Sequence, residues 1–154
     1  MNAKWFFVFL LGSAFLTAAV PPLTHPEEVR ELIEGLAACE FDSVFEKTDH
    51  LRAADPDNPE IAAISAISRA LFINYYKSTN LIPRFTVDAK RAEDLLQKRL
   101  RGGSSVSNLD LFLLGGLLGY RGLVDFVSEG KVISAFSYAL RGLDYLKPTI
   151  VREP

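Results

Sequence analysis

Cysteine is almost absent. Cys39 is the single thiol in 154 residues, so an internal disulfide is excluded and stability has to come from packing. Histidine is nearly as scarce, at His25 and His50. Neither His-x3-His nor Cys-x2-Cys occurs, so the sequence lacks the converging donors of a transition-metal site. No Gly-x-Ser-x-Gly elbow singles out a serine nucleophile. Carboxylate pairs such as Glu27/Glu31 and Glu31/Glu34 have the spacing of a solvated helix face rather than of a buried acid/base pair. Period-2 alternation bounded by hairpin turns is missing too, so no strand competes with the helical pattern. On these absences the protein is expected not to be an enzyme and to carry no cofactor.

Glycine is concentrated in one apolar stretch, "FLLGGLLGYRGLVDF" from Phe112 to Phe126, at Gly115, Gly116, Gly119 and Gly122. A phosphate loop needs Lys-Ser/Thr after the last glycine, but Leu123 and Val124 follow here. The dinucleotide fingerprint needs a different glycine spacing and a preceding strand. As a membrane span the stretch is poor, since Asp110 and Arg121 limit the uncharged run to Leu111–Tyr120. The expectation is a helix whose glycines at 115, 119 and 122 share a face and pack closely on a neighbour, the third or the sixth helix. Gly119→Leu is therefore expected to overpack.

At the N-terminus, "MNAKWFFVFLLGSAFLTAAVPP" has Lys4, an apolar run from Trp5 to Leu16, and small residues at Thr17, Ala18 and Ala19. That is the layout of a secretory signal, here residues 1–19 with cleavage after Ala19. The run is shorter than the roughly 20 residues of a span, so an uncleaved anchor is the weaker alternative. The mature domain, 20–154, is expected in the periplasm or outside the cell, with no stable membrane span after cleavage. Charge is divided along it. Residues 20–60 hold 11 acidic and 3 basic side chains, and residues 61–154 hold 13 basic and 8 acidic. The basic excess is densest from Arg84 to Arg101 and lacks interleaved aromatics, so nucleic acid is not an expected partner. The split is read as solvated faces of differing sign, or else as ends that attract each other or a charged partner.

Helix punctuation places six helices. Thr24 is a candidate cap for the first, in which Val29, Leu32, Ile33 and Leu36 form a stripe. The second runs from about Asp42 to Ala54. "DPDNPE" closes it, and Asn58 with Pro59 opens a third that reaches Tyr76. Thr86 is expected to cap a fourth that reaches Leu100. Ser107 and Asp110 form a capping box for the fifth, Asn108 to about Ser128. Gly130 ends that helix, and the sixth runs from about Lys131 to Lys147, where Pro148 stops it. Val132, Ile133, Phe136, Ala139, Leu140, Leu143 and Leu146 make the sixth helix apolar on a full face.

The stretch "EFDSVFEKTDHLRAADPDNPE", with Phe41, Val44 and Pro56 at the aromatic, small and closing-proline places, resembles the second helix and boundary of a tetratricopeptide repeat. "SEGKVISAFSYALRGLDYL", with Gly130, Lys131, Val132 and Ala135, is similar to the same element. The repeats are degenerate, Gly35 standing where an aromatic is expected. Signal, repeats and glycine helix together look like exported bacterial proteins of this repeat type. The resemblance implies an all-α, short right-handed solenoid of three antiparallel hairpins, about 24–54, 59–101 and 107–147. It further implies a non-catalytic protein–protein interaction or scaffold module of the cell envelope. A small envelope protein that binds an apolar ligand or lipid between its helices is the alternative. Tyr75, Tyr76, Arg121, Tyr138 and Arg141 are the candidate partner-binding residues, since tyrosine and arginine are enriched at interfaces. The other reading of the tyrosines is as core residues with a polar tip at the edge. The open apolar face of the sixth helix suggests a partner, a homodimer or a chain cut from a longer repeat protein.

Overall fold

The computed structural model describes residues 26–102 and 107–150. The stretch read as a signal segment, the expected cleavage site after Ala19, Thr24 and His25 lie outside them. Six helices make up the described chain: α1 Pro26–Ala37, α2 Phe41–Ala54, α3 Pro59–Tyr76, α4 Ile82–Arg101, α5 Asn108–Glu129 and α6 Val132–Ile150. Among the described residues there is no strand.

The ends of the helices follow from local chemistry, with three departures from the sequence reading. Asn58 caps α3 as expected: its side chain accepts from the backbone N–H groups of Glu60 at 3.0 Å and Ile61 at 3.1 Å. Its amide donates to Asp55, which ties the cap to the preceding turn. Helix α4 begins four residues before Thr86. Proline is tolerated in a first turn, where its missing N–H has no partner to lose, so Pro83 belongs to the helix. The Thr86 hydroxyl donates back to the Ile82 carbonyl at 2.9 Å, an interior contact and not a cap. Ser107 caps α5 by accepting from Asp110 N–H at 3.0 Å. The Asp110 carboxylate, however, is engaged by Arg99 at 3.0 Å. Pro148 does not stop α6, which continues to Ile150 with Pro148 inside its last turn. Gly130 ends α5 at φ 64°.

Cys39 is exposed. It holds the left-handed position after α1, φ 62°. Its N–H donates to Leu36 O, and Glu40 N–H donates to Gly35 O, the paired bonds of a Schellman ending.

Consecutive helices pack as neighbours, and α1, α3 and α5 also pack on one another in order. Helix α3 is central and nearly enclosed, buried from Pro59 through Ala70. One core joins α3, α4 and α5 through Ile67, Ile73, Phe85, Leu96, Leu114 and Leu118. A smaller one joins α1, α2 and α3 through Val29, Leu32, Val44 and Ile64.

Helix α5 is long and apolar enough to cross a membrane by length and composition. In the fold it is a core helix, with Leu113, Leu114, Leu117 and Leu118 buried. Its most extensive partner is α6. A Cβ on Gly115 would lie 2.8 Å from Gly142 O and 2.6 Å from Leu146 Cγ. One on Gly122 would lie 2.7 Å from Ala135 O. One on Gly142 would lie 2.7 Å from Gly115 O and 3.3 Å from Gly119 N. Backbone therefore meets backbone along this pair. Gly119 itself is exposed, and a Cβ there would meet nothing within 4 Å. The expected overpacking at Gly119 is thus corrected: α6 approaches its backbone from the side, and the position of its missing Cβ is open. Gly142, on α6, is the reciprocal glycine that the sequence reading passed over.

Candidate interaction surface

The five candidate partner-binding residues fall into two clusters on different elements. Tyr75 and Tyr76 end α3, both about half exposed (52% and 53%). They join Phe41, Phe45 and Phe72 in a run of edge-on and tilted rings. Phe41 and Phe72 are 5.4 Å apart, Phe72 and Tyr76 4.6 Å, Tyr75 and Tyr76 4.9 Å. Such pairs add about 0.5–1.5 kcal/mol each beyond burial. Phe41 is buried and anchors the run, so the tyrosines are the outer edge of a structural cluster with their rings in reach of a partner.

Arg121, Tyr138 and Arg141 come together where α5, α6 and α4 meet. Both guanidinium groups lie over the Tyr138 ring, at 4.5 Å for Arg121 and 5.6 Å for Arg141. Both also pair with Glu93, at 2.5 and 2.7 Å. Glu93, which the sequence reading did not single out, accepts from Gln97 as well. Arg121 and Tyr138 are partly buried and committed to this cluster. Arg141 keeps about half of its side chain in solvent. The group is a clasp holding α4 to α5 and α6.

Two more ion-pair groups share α4. Arg69 on α3, 2% exposed, pairs with Asp49 at 2.9 Å and Asp88 at 3.3 Å, and donates to Ser65 O at 2.9 Å. Arg52 reaches Asp88 at 2.9 Å and Arg84 reaches Asp49 at 2.6 Å. Burial lowers the Arg69 pKa and Arg84 adds to that, while Asp88 and Asp49 pull the other way. At the far end of α4, Arg99 pairs with Glu60 at 2.8 Å and Asp110 at 3.0 Å. Burial works against its charge, but those two carboxylates outweigh it and raise its pKa. Opposite charges of the two chain segments pair within the chain at Asp49–Arg69 and Glu60–Arg99, each with one buried member, and at the more exposed Asp49–Arg84 and Asp57–Arg91. Glu27, Glu31, Glu34, Glu40, Asp42 and Glu46 stay exposed, so both readings of the split hold in part.

His50 is exposed on α2. No group of three or more His, Cys, Asp or Glu gathers as metal donors among the described residues.

The most open apolar surface is on α6. Ile133 (88% exposed), Phe136, Leu140 and Leu143 line the side turned away from α5. Ala135, Tyr138, Gly142 and Leu146 face α5. Helix α6 thus has two apolar sides, and only one is covered by the described chain. Sequence periodicity exposed this row at once; what it lacked was which side the glycines would take. No family model, curated protein or solved structure matches the chain.

Proposed function

We propose that this protein is a non-catalytic interaction module of the bacterial cell envelope, a short tetratricopeptide-like stack that docks through the outer side of α6. The observation that carries this reading is the uncovered apolar row of α6. Solvent exposure of four large apolar side chains on one helix face costs solubility, and such patches mark binding surfaces. The packing order is compatible with a stack, since α3 touches α1 and α5 as well as its sequence neighbours α2 and α4. That is how repeat hairpins build a continuous core. The reading as an apolar-ligand or lipid carrier has less behind it. The apolar faces of α3 and α5 that would line a pocket are packed against each other. The envelope location rests on the signal-like N-terminus.

The test is a crosslinking pull-down from the native envelope with the wild-type chain and with Phe136→Glu. Recovery of one protein partner that is lost in the variant supports the reading. Recovery of bound lipid or small molecule in place of protein, unaffected by the variant, overturns it.

A further inference from the structure

The outer row of α6 has the geometry of a coiled-coil seam. Ile133, Phe136, Leu140 and Leu143 recur at spacings of three, four and three. That is the a/d repeat by which one helix packs into another of its kind. An ordinary surface helix of a globular protein has one such stripe, turned to its own core. Here that role belongs to the side carrying Ala135, Tyr138 and Gly142. The second seam has no helix to meet among the described residues.

Resting on the docking reading above, we infer that the occupant is a second copy of this chain, packed antiparallel across a two-fold axis at the level of residue 138. Three observations select that partner. The first is area. The row and adjacent Val132 are 48–88% exposed residue by residue, an apolar patch on the order of several hundred Å² per copy. A specific interface needs about 800 Å² per partner. The small, exposed Ser137 and Ala139 border the row, so two helices can approach closely and bring their rims into contact.

The second is charge. No charged residue interrupts the seam between Ile133 and Leu143. Glu129 and Lys131 pair at one end, and Asp144 and Lys147 pair at the other. Antiparallel packing sets Lys131 near Asp144 of the other copy and Glu129 near Lys147, and it opposes the two helix dipoles. Parallel packing sets each charge against its own kind. The third is self-complementarity. A two-fold contact must join a surface to itself, and the antiparallel register puts Ile133 opposite Leu143 and Phe136 opposite Leu140, large apolar against large apolar.

The experiment is sedimentation of the full chain at micromolar concentrations, with Phe136→Glu/Leu140→Glu beside it and helicity checked by circular dichroism. The expected result is twice the chain mass for the wild type and a folded monomer for the variant. In a Cys39→Ser background, Ile133→Cys and Leu143→Cys chains are then mixed and oxidised. A disulfide requires Cα atoms within about 7 Å, so the antiparallel register predicts a mixed 133–143 dimer and no 133–133 dimer. A wild-type monomer overturns the second copy as occupant. It leaves the docking reading to the pull-down, where loss of a different partner in Phe136→Glu would still uphold it. Association that survives the glutamate variant overturns α6 as the site. Self-linkage at position 133 overturns the antiparallel arrangement.

Discussion

Tyr120 is a buried phenol on the glycine-rich helix. It is 7% exposed on α5, and burial pushes its phenol up to about 12. The neutral form is favoured in the fold, so the stabilisation is fully present below the ordinary value near 10. It is lost as pH rises from there towards 12. Two units correspond to about 2–3 kcal/mol. Urea midpoints of the wild type should fall over that interval, and those of Tyr120→Phe should fall by less. Equal slopes would remove the buried phenol from the account. At this scale the sequence was a partial guide. Asn58 and Ser107 were legible as caps, because a cap needs only its neighbours. Thr86 was misread because hydroxyls bond back to the i−4 carbonyl inside a helix as readily as they cap one. The duties of Glu93 and Arg69 depend on partners on other helices, which no local pattern reports.

Among the elements, α5 and α6 carry the tightest contact. The i, i+4 and i+3 glycine spacing was readable in sequence, but the pattern could not separate a glycine under a neighbour from one beside it. Gly115 and Gly122 lie under α6, and Gly142 lies under α5. An added methyl at any of the three meets backbone within 3 Å, so the helices must part. Gly115→Ala, Gly122→Ala and Gly142→Ala should each cost about 1–3 kcal/mol. Gly119→Ala meets open space and should gain up to about 1 kcal/mol from helix propensity. Chemical denaturation of the four variants checks the order. A Gly119 variant as damaged as the others would contradict this packing.

Across the whole molecule, α4 is the member to which the ion-pair groups are tied: Arg84 and Asp88 near its start, Glu93 midway, Arg99 near its end. Composition revealed the separation of acidic and basic segments, and one of the two readings offered was attraction between them. The fold realises that attraction at a few cross-helix pairs, of which Arg69–Asp49 and Arg99–Glu60 have a buried member. Removing one member of a buried group leaves its partners charged and unpaired, at about 3–5 kcal/mol. Glu93→Ala, which strands Arg121 and Arg141, should fall at the lower end of that range because Arg141 is half exposed. Replacement of Glu93 and Arg121 together by apolar residues should cost less than Glu93→Ala alone. A double variant as unstable as the sum of the singles would show that the clasp is not one unit. The all-α class, the helix number and the open row on α6 were all legible in the sequence. The pairing of that row's opposite side with the glycines was not, because periodicity gives a face but no neighbour.

The central claim is that the outer side of α6 is the docking face. A photoreactive residue at Ser137, in the middle of the row, tests it most directly against one at Val87, exposed on α4. In the native envelope, illumination should give a discrete protein adduct from position 137, lost with Phe136→Glu, and none from position 87. Adducts from position 87 alone, or from both positions alike, would contradict the account.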